Sequence, residues 1–184
     1  MLKIDFLPVD LARWDQAPAA DLLAVGFYSD VRPLRGAAGL LDWRLDGRLS
    51  ALIVAGHLTG AAEEQLLIPS RKRLPWTLTL ACGLGPTATM DESRLQRAVG
   101  RTLVTMRGMG LQRLAIALPG RDGERIPARR ALQLFLQEAE ETSPGIVGEV
   151  TLIETAAGQK ELGEVVRRRS QPPRPRDARA RGAG

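Results

Sequence analysis

Asp21-Leu-Leu-Ala-Val-Gly-Phe-Tyr28 carries seven successive apolar or small positions behind a single acid. A strand with one wet face would alternate polar and apolar side chains. This stretch does not alternate, so it reads as a strand buried on both faces. Working outward, Leu2, Ile4 and Phe6 alternate with polar positions and predict a half-exposed strand, and 65–68, 76–82, 113–118 and 146–153 predict further strands. Helical periodicity falls between them at 37–55, 90–107, 128–141 and 157–168. The rhythm predicts an α/β fold, a three-layer α/β/α sandwich around a mixed, mostly parallel sheet.

The chain has 184 residues, of which 44% are hydrophobic and 26% charged, with one Cys and one His. That composition excludes a disordered chain, a disulfide scaffold and a membrane protein. The formal charge of +5 is unevenly placed. Arg167, Arg168, Arg169, Arg174, Arg176, Arg179 and Arg181 stand against the single acid Asp177, so the last stretch is strongly basic while residues 1–166 carry a net charge of −1. Prolines interrupt the end of the chain, and it has nothing larger than Ala or Pro to bury. We therefore expect a domain over 1–168 and a disordered Arg/Pro-rich tail over 169–184. The N-terminus shows no apolar signal core, and the longest apolar stretches fall short of a membrane span, so a cytoplasmic location is expected. The excess of Arg over Lys fits a GC-rich bacterial genome.

Counting residues narrows the chemistry. His57 follows the 37–55 helix, where a cation complements the helix C-terminus better than it would ligate a metal. Cys82 ends an apolar run and reads as a buried structural thiol. One His and one Cys make no zinc site of the usual kind, and no Gly-x-Ser-x-Gly elbow exists. No cofactor is expected. Gly83-Leu-Gly85 lies between a strand and a helix, as a phosphate-cradling loop would, but Pro86 removes a donor and Asp91 and Glu92 place negative charge at the helix start. Gly83, Gly85 and Gly120 remain weak candidates for a ligand at the sheet's C-terminal edge.

Thr89-Met-Asp-Glu92 has the spacing of a capping box, and Arg94, Arg97 and Arg101 read as a solvated face of the helix that follows. Arg129 and Arg130 open the 128–141 helix while Glu138, Glu140 and Glu141 close it, against the macrodipole. The 37–55 helix has two apolar faces. Leu41, Leu45, Leu49, Leu52 and Ile53 should cover the sheet, whereas Leu40, Trp43, Gly47 and Val54 need a second partner. That partner is either an adjoining loop of the same domain or another subunit, with Trp43 as its aromatic anchor.

The run from Leu34 to Arg48, together with Gly60-Ala-Ala-Glu-Glu-Gln-Leu-Leu-Ile68 and Leu78-Thr-Leu-Ala-Cys-Gly-Leu-Gly85, resembles the N-terminal domain of the leucyl (cytosol) aminopeptidase family. The resemblance extends over roughly residues 20–155 and implies a macro-domain-like sandwich. Family members carry their metals and catalytic Lys and Arg in a separate C-terminal domain, whose Asn-containing signature has no counterpart in this Asn-free sequence. No family active-site residue transfers to any position here. The resemblance implies a non-catalytic interaction or assembly domain that is not an enzyme and that self-associates as a homo-oligomer or binds a protein partner. In the family this domain contributes to oligomer assembly and, in some bacterial members, to DNA binding. Two alternatives stand beside it: nucleic-acid or acidic-partner binding through the basic tail, and nucleotide-like ligand binding near Gly83 and Gly120.

Overall fold

Six strands form one sheet in the order β1-β6-β5-β2-β4-β3. A computed structural model of the chain describes residues 2–142, 144–145 and 147–170, with side chains through Arg167. The strands are β1 (Lys3–Leu7), β2 (Ala20–Phe27), β3 (Gln65–Pro69), β4 (Trp76–Gly83), β5 (Arg113–Ile116) and β6 (Glu149–Ile153). All neighbours are parallel except β3, which runs antiparallel to β4 at one edge. The expected mixed, mostly parallel sheet is therefore present, with β2 between β5 and β4.

The two faces of β2 separate two cores. Leu22 and Ala24 point into a cluster with Leu95, Val99 and Leu103 from α4 (Glu92–Gly108) and Leu132 and Phe135 from α5 (Ala128–Thr142). Leu162 of α6 (Ala156–Ser170) joins the same cluster. Leu23, Val25 and Phe27 point the other way, toward Trp14 of α1 (Leu11–Asp15), Leu41 of α2 (Gly36–Arg44) and Leu49 of α3 (Arg48–Val54). Alternate side chains of one strand thus serve opposite helical layers. Trp14 is fully buried; its ring meets Trp76 edge-on at 5.5 Å between centroids, and its indole N–H donates to the Pro8 carbonyl. The sequence periodicity gave no sign of this short helix.

Three expectations need correction. The 37–55 helix is two helices, because Asp46 and Gly47 take positive φ (56° and 71°) and reverse the chain between α2 and α3. Aspartate and glycine tolerate that conformation better than other residues. The expected capping box is not formed: Thr89 lies in a 3-10 turn, and Asp91 caps α4 by accepting from the Arg94 amide at 2.8 Å. Arg94 is not simply solvated, since its guanidinium donates to the Leu84 carbonyl, while Arg97 and Arg101 face Glu63.

The reversed charges of α5 find a tertiary reason. Arg130 pairs with Glu92 at 2.6 Å and Arg129 with Glu161 at 3.6 Å, tying α5 to both neighbouring helices. The expected tail falls on the last residues of α6 and on 171–184. The side chains of Arg168 and Arg169, and all of Arg174, Arg176, Arg179 and Arg181, lie outside the described residues. Among the described residues, no helix is long and apolar enough to cross a membrane.

Candidate functional site

The most conspicuous surface side chain is produced by how α2 packs. Ala37, Ala38 and Leu41 bury one side of that helix, which forces Trp43 outward, where it is 69% exposed. The other two tryptophans are 0% and 2% exposed, so Trp43 is the exception. The Arg44 guanidinium lies 5.8 Å from its ring centroid, within cation–π range, and is itself held by Asp15 at 2.6 Å. An open groove of about 960 Å³ runs beside Trp43, bordered by Pro33, Leu34, Lys72 and Arg73.

The turn beneath this surface is rigidly specified. Asp42 is buried, and its carboxylate accepts from the Leu49 amide at 2.7 Å and the Ser50 amide at 3.1 Å. A side chain near the end of α2 therefore caps the start of α3, where the helix dipole also favours a negative charge. Leu40 is half-buried against the α1–α3 core, Gly47 sits in the turn, and Val54 is 88% exposed at the end of α3. The face drawn through Leu40, Trp43, Gly47 and Val54 on one continuous helix is thus divided between two helices and a turn.

A second concavity lies at the C-terminal end of the parallel strands. It encloses about 300 Å³ lined by Phe27, Tyr28, Val31, Thr87 and Arg125. Asp30 accepts from the Thr87 amide and hydroxyl, and these bonds hold its carboxyl below the ordinary range. Burial raises the Tyr28 phenol, and burial with the neighbouring Glu154 raises the Asp122 carboxyl. Arg121 and Glu154 form a bidentate pair at 2.7 and 3.2 Å beside this cleft.

The three weak glycine candidates occupy different settings. The amides of Gly83, Leu84 and Gly85 donate to the carbonyls of Glu64, Phe27 and Gly60, so this loop has no free amides with which to cradle a phosphate. A Cβ at Gly83 would stand 2.0 Å from the Ala61 carbonyl, and one at Gly26 would stand 2.7 Å from the Leu84 side chain. Glycine at 83 lets β4 pack against the 60–61 loop, and glycine at 26 lets Leu84 fill the strand ends. Gly120 borders a space of about 40 Å³ next to the cleft and accepts from the Ile126 amide.

Cys82 is buried, its thiol 3.6 Å from the Thr102 hydroxyl, and burial pushes its pKa up, as expected of an inert structural thiol. His57 is exposed after α3, its amide donating to the Leu52 carbonyl. Among the described residues, no three of His, Cys, Asp and Glu converge as metal ligands. The basic turn at 71–73, which borders the Trp43 groove, was not singled out by the sequence; its three consecutive cations were the available signal.

Comparison with known proteins agrees with this architecture. A family model described as the cytosol aminopeptidase family, N-terminal domain, matches residues 24–143. A probable cytosol aminopeptidase of Pseudomonas syringae pv. tomato is 29% identical over 90 residues, covering 49% of this chain and 18% of that protein. One from Pseudomonas fluorescens is 26% identical over 147 residues, covering 73% and 30%. The matched region therefore spans about a fifth to a third of the curated relatives' length. Among solved structures, a Trypanosoma brucei macrodomain in complex with ADP superposes with a TM-score of 0.67 at 15% identity, covering 89% of this chain and 69% of that one. A tomato leucine aminopeptidase variant gives 0.61 at 14%, covering 89% and 35%. These structures share the fold. The chain belongs to the cytosol aminopeptidase family, matching its N-terminal domain.

Proposed function

We propose that this chain acts in the cytoplasm as a non-catalytic interaction or assembly domain, self-associating or binding a protein partner through the α2–α3 surface. The observation that carries the reading is Trp43, left 69% exposed on a helix whose opposite side is buried. Tryptophan is among the side chains enriched at the energetic centres of protein interfaces. The turn that presents Trp43 is fixed by the Asp42 cap, so little ordering entropy would be lost on association.

Size-exclusion chromatography with light scattering tests the self-association form. The expected result is a species larger than a monomer that Trp43→Glu reduces to a monomer. A monomeric protein unchanged by Trp43→Glu removes this form and leaves a heterologous partner. Reproducible metal-dependent aminopeptidase turnover by the purified chain would overturn the non-catalytic part of the reading.

A further inference from the structure

We infer that the surface formed by Trp43, Arg48 and the 71–73 turn docks an acidic segment of a partner protein. The inference rests on the interaction role proposed above and names the chemistry of the partner. The β3–β4 connection carries Arg71-Lys-Arg73 to the same side of the molecule as α2 and α3, where Lys72 and Arg73 border the Trp43 groove. Across the turn lies a second groove of about 380 Å³, bordered by Arg48, Arg71 and Arg73 above Leu45, Ile68 and Pro69.

Three of these cations are uncommitted. Arg73 pairs with Asp46 and Arg44 with Asp15. Arg48, Arg71 and Lys72 are exposed and make no ion pair or side-chain hydrogen bond among the described residues. Ser70, which also borders the second groove, is 1% exposed, and its hydroxyl has no hydrogen-bond partner. The backbone supplies a further sign. The Arg73 amide donates to the Ser70 carbonyl, closing a turn whose central residues, Arg71 and Lys72, both take positive φ (49° and 63°). Asn-Gly adopts that turn readily, whereas two long cationic residues adopt it at a cost. Strain of this kind concentrates where a side chain is needed for something else.

The mixture of charges and apolar surface favours a peptide over a nucleic acid. Asp15 and Asp46 interrupt the positive surface that a phosphodiester backbone would follow, and among the described residues Trp43 is the only exposed aromatic side chain available for base stacking. The apolar side chains along the grooves, Pro33, Leu34 and Trp43 in the first and Leu45, Ile68 and Pro69 in the second, instead suit side chains interspersed among carboxylates. Guanidinium groups pair with such carboxylates in bidentate geometry.

Fluorescence anisotropy at low salt with a short labelled peptide of Glu, Asp and Leu tests the inference. Controls are the same peptide with Lys for every acid, and a labelled thymidine oligonucleotide. The acidic peptide should bind, and Arg48→Glu/Arg71→Glu/Lys72→Glu should weaken it at least about ten-fold. Arg71→Asn/Lys72→Gly should weaken it too while leaving the fold intact or firmer, because its turn is easier to form. No binding of the acidic peptide, unchanged binding by both variants, or tighter binding of the oligonucleotide would overturn the inference. Light scattering on the same samples separates the two levels of argument. Self-association lost in Trp43→Glu without peptide binding overturns the acidic partner and leaves the interaction role standing; absence of both self-association and peptide binding overturns the acidic partner and the self-association form together.

Discussion

Arg121 and Glu154, 33 positions apart, form the most buried ion pair among the described residues, with 11% and 4% of their side chains exposed. Arg121 belongs to the loop after β5 and also donates to the Ile126 carbonyl at 2.7 Å. Glu154 directly follows β6 and accepts from the Thr155 amide at 2.8 Å. The pair therefore fastens the loop leading into α5 to the neighbouring strand end. Removing one partner strands the other charge in a dry environment. Arg121→Met should destabilise the domain by about 3–5 kcal/mol, read as a lower urea midpoint. Adding Glu154→Leu should restore much of the loss, since the lone buried charge is gone.

Asp42 is predicted to control the α2–α3 reversal. Asp42→Ala removes the acceptor of the Leu49 and Ser50 amides and of the Ser50 hydroxyl, and should cost about 1–2 kcal/mol or more in chemical unfolding. Asp42→Asn keeps an acceptor but loses the charge that complements the α3 dipole, so its cost should be smaller. Equal losses in the two variants would show that the hydrogen bonds are not what holds the turn.

Asp21 supplies a pH dependence with a definite sign. Burial pushes its carboxyl up, but the amides of Gln112 and Arg113 and the Arg113 guanidinium outweigh that and hold it below the ordinary range. A carboxyl lowered by folding stabilises the protein fully above its unfolded pKa, about 3.9, and loses that contribution as pH falls through the folded value. Asp21→Asn should therefore lower stability near neutrality and flatten the acid limb of stability below about pH 4. Parallel acid limbs in wild type and variant would contradict this assignment.

Trp43 should dominate solvent-accessible tryptophan fluorescence, because Trp14 and Trp76 are buried against one another. Arg44 and Arg73 are paired with Asp15 and Asp46, which leaves Lys72 as an unpaired cation bordering the Trp43 groove, so iodide should quench Trp43 more strongly than caesium. Trp43→Phe should remove the accessible fraction and shift the remaining emission to the blue. Equal quenching by the two ions would show that the cations do not set the local potential.

Much of the layered fold was legible because burial leaves periodic marks. The apolar run at 21–28 fitted a strand covered on both faces, and the structure places it between β5 and β4 with a helical layer on each side. The break in the 37–55 stretch was hidden because Leu41, Leu45 and Leu49 keep helical spacing across it and all three reach the core. The Asp46-Gly47 dipeptide was the only local warning. Thr89 and Glu92 matched a capping pattern, but Asp91 lay two residues on and took the role. Local motifs name residues able to cap; backbone geometry decides which one does.

The alternation of strands with the larger helices and the two-sided burial of β2 were readable from the sequence, because both follow from which side chains water rejects or retains, and the concentration of charge at the chain's end was read from it directly. The tertiary structure alone decided which surface is distinctive. Trp43, Arg48 and the 71–73 turn are separated along the chain, and only the β3–β4 reversal brings the turn beside the α2–α3 surface. A body with net charge −1 over residues 1–166 thereby acquires a locally cationic, partly apolar face. Net charge sums over the chain, whereas recognition depends on which charges lie within a Debye length and lack partners of their own.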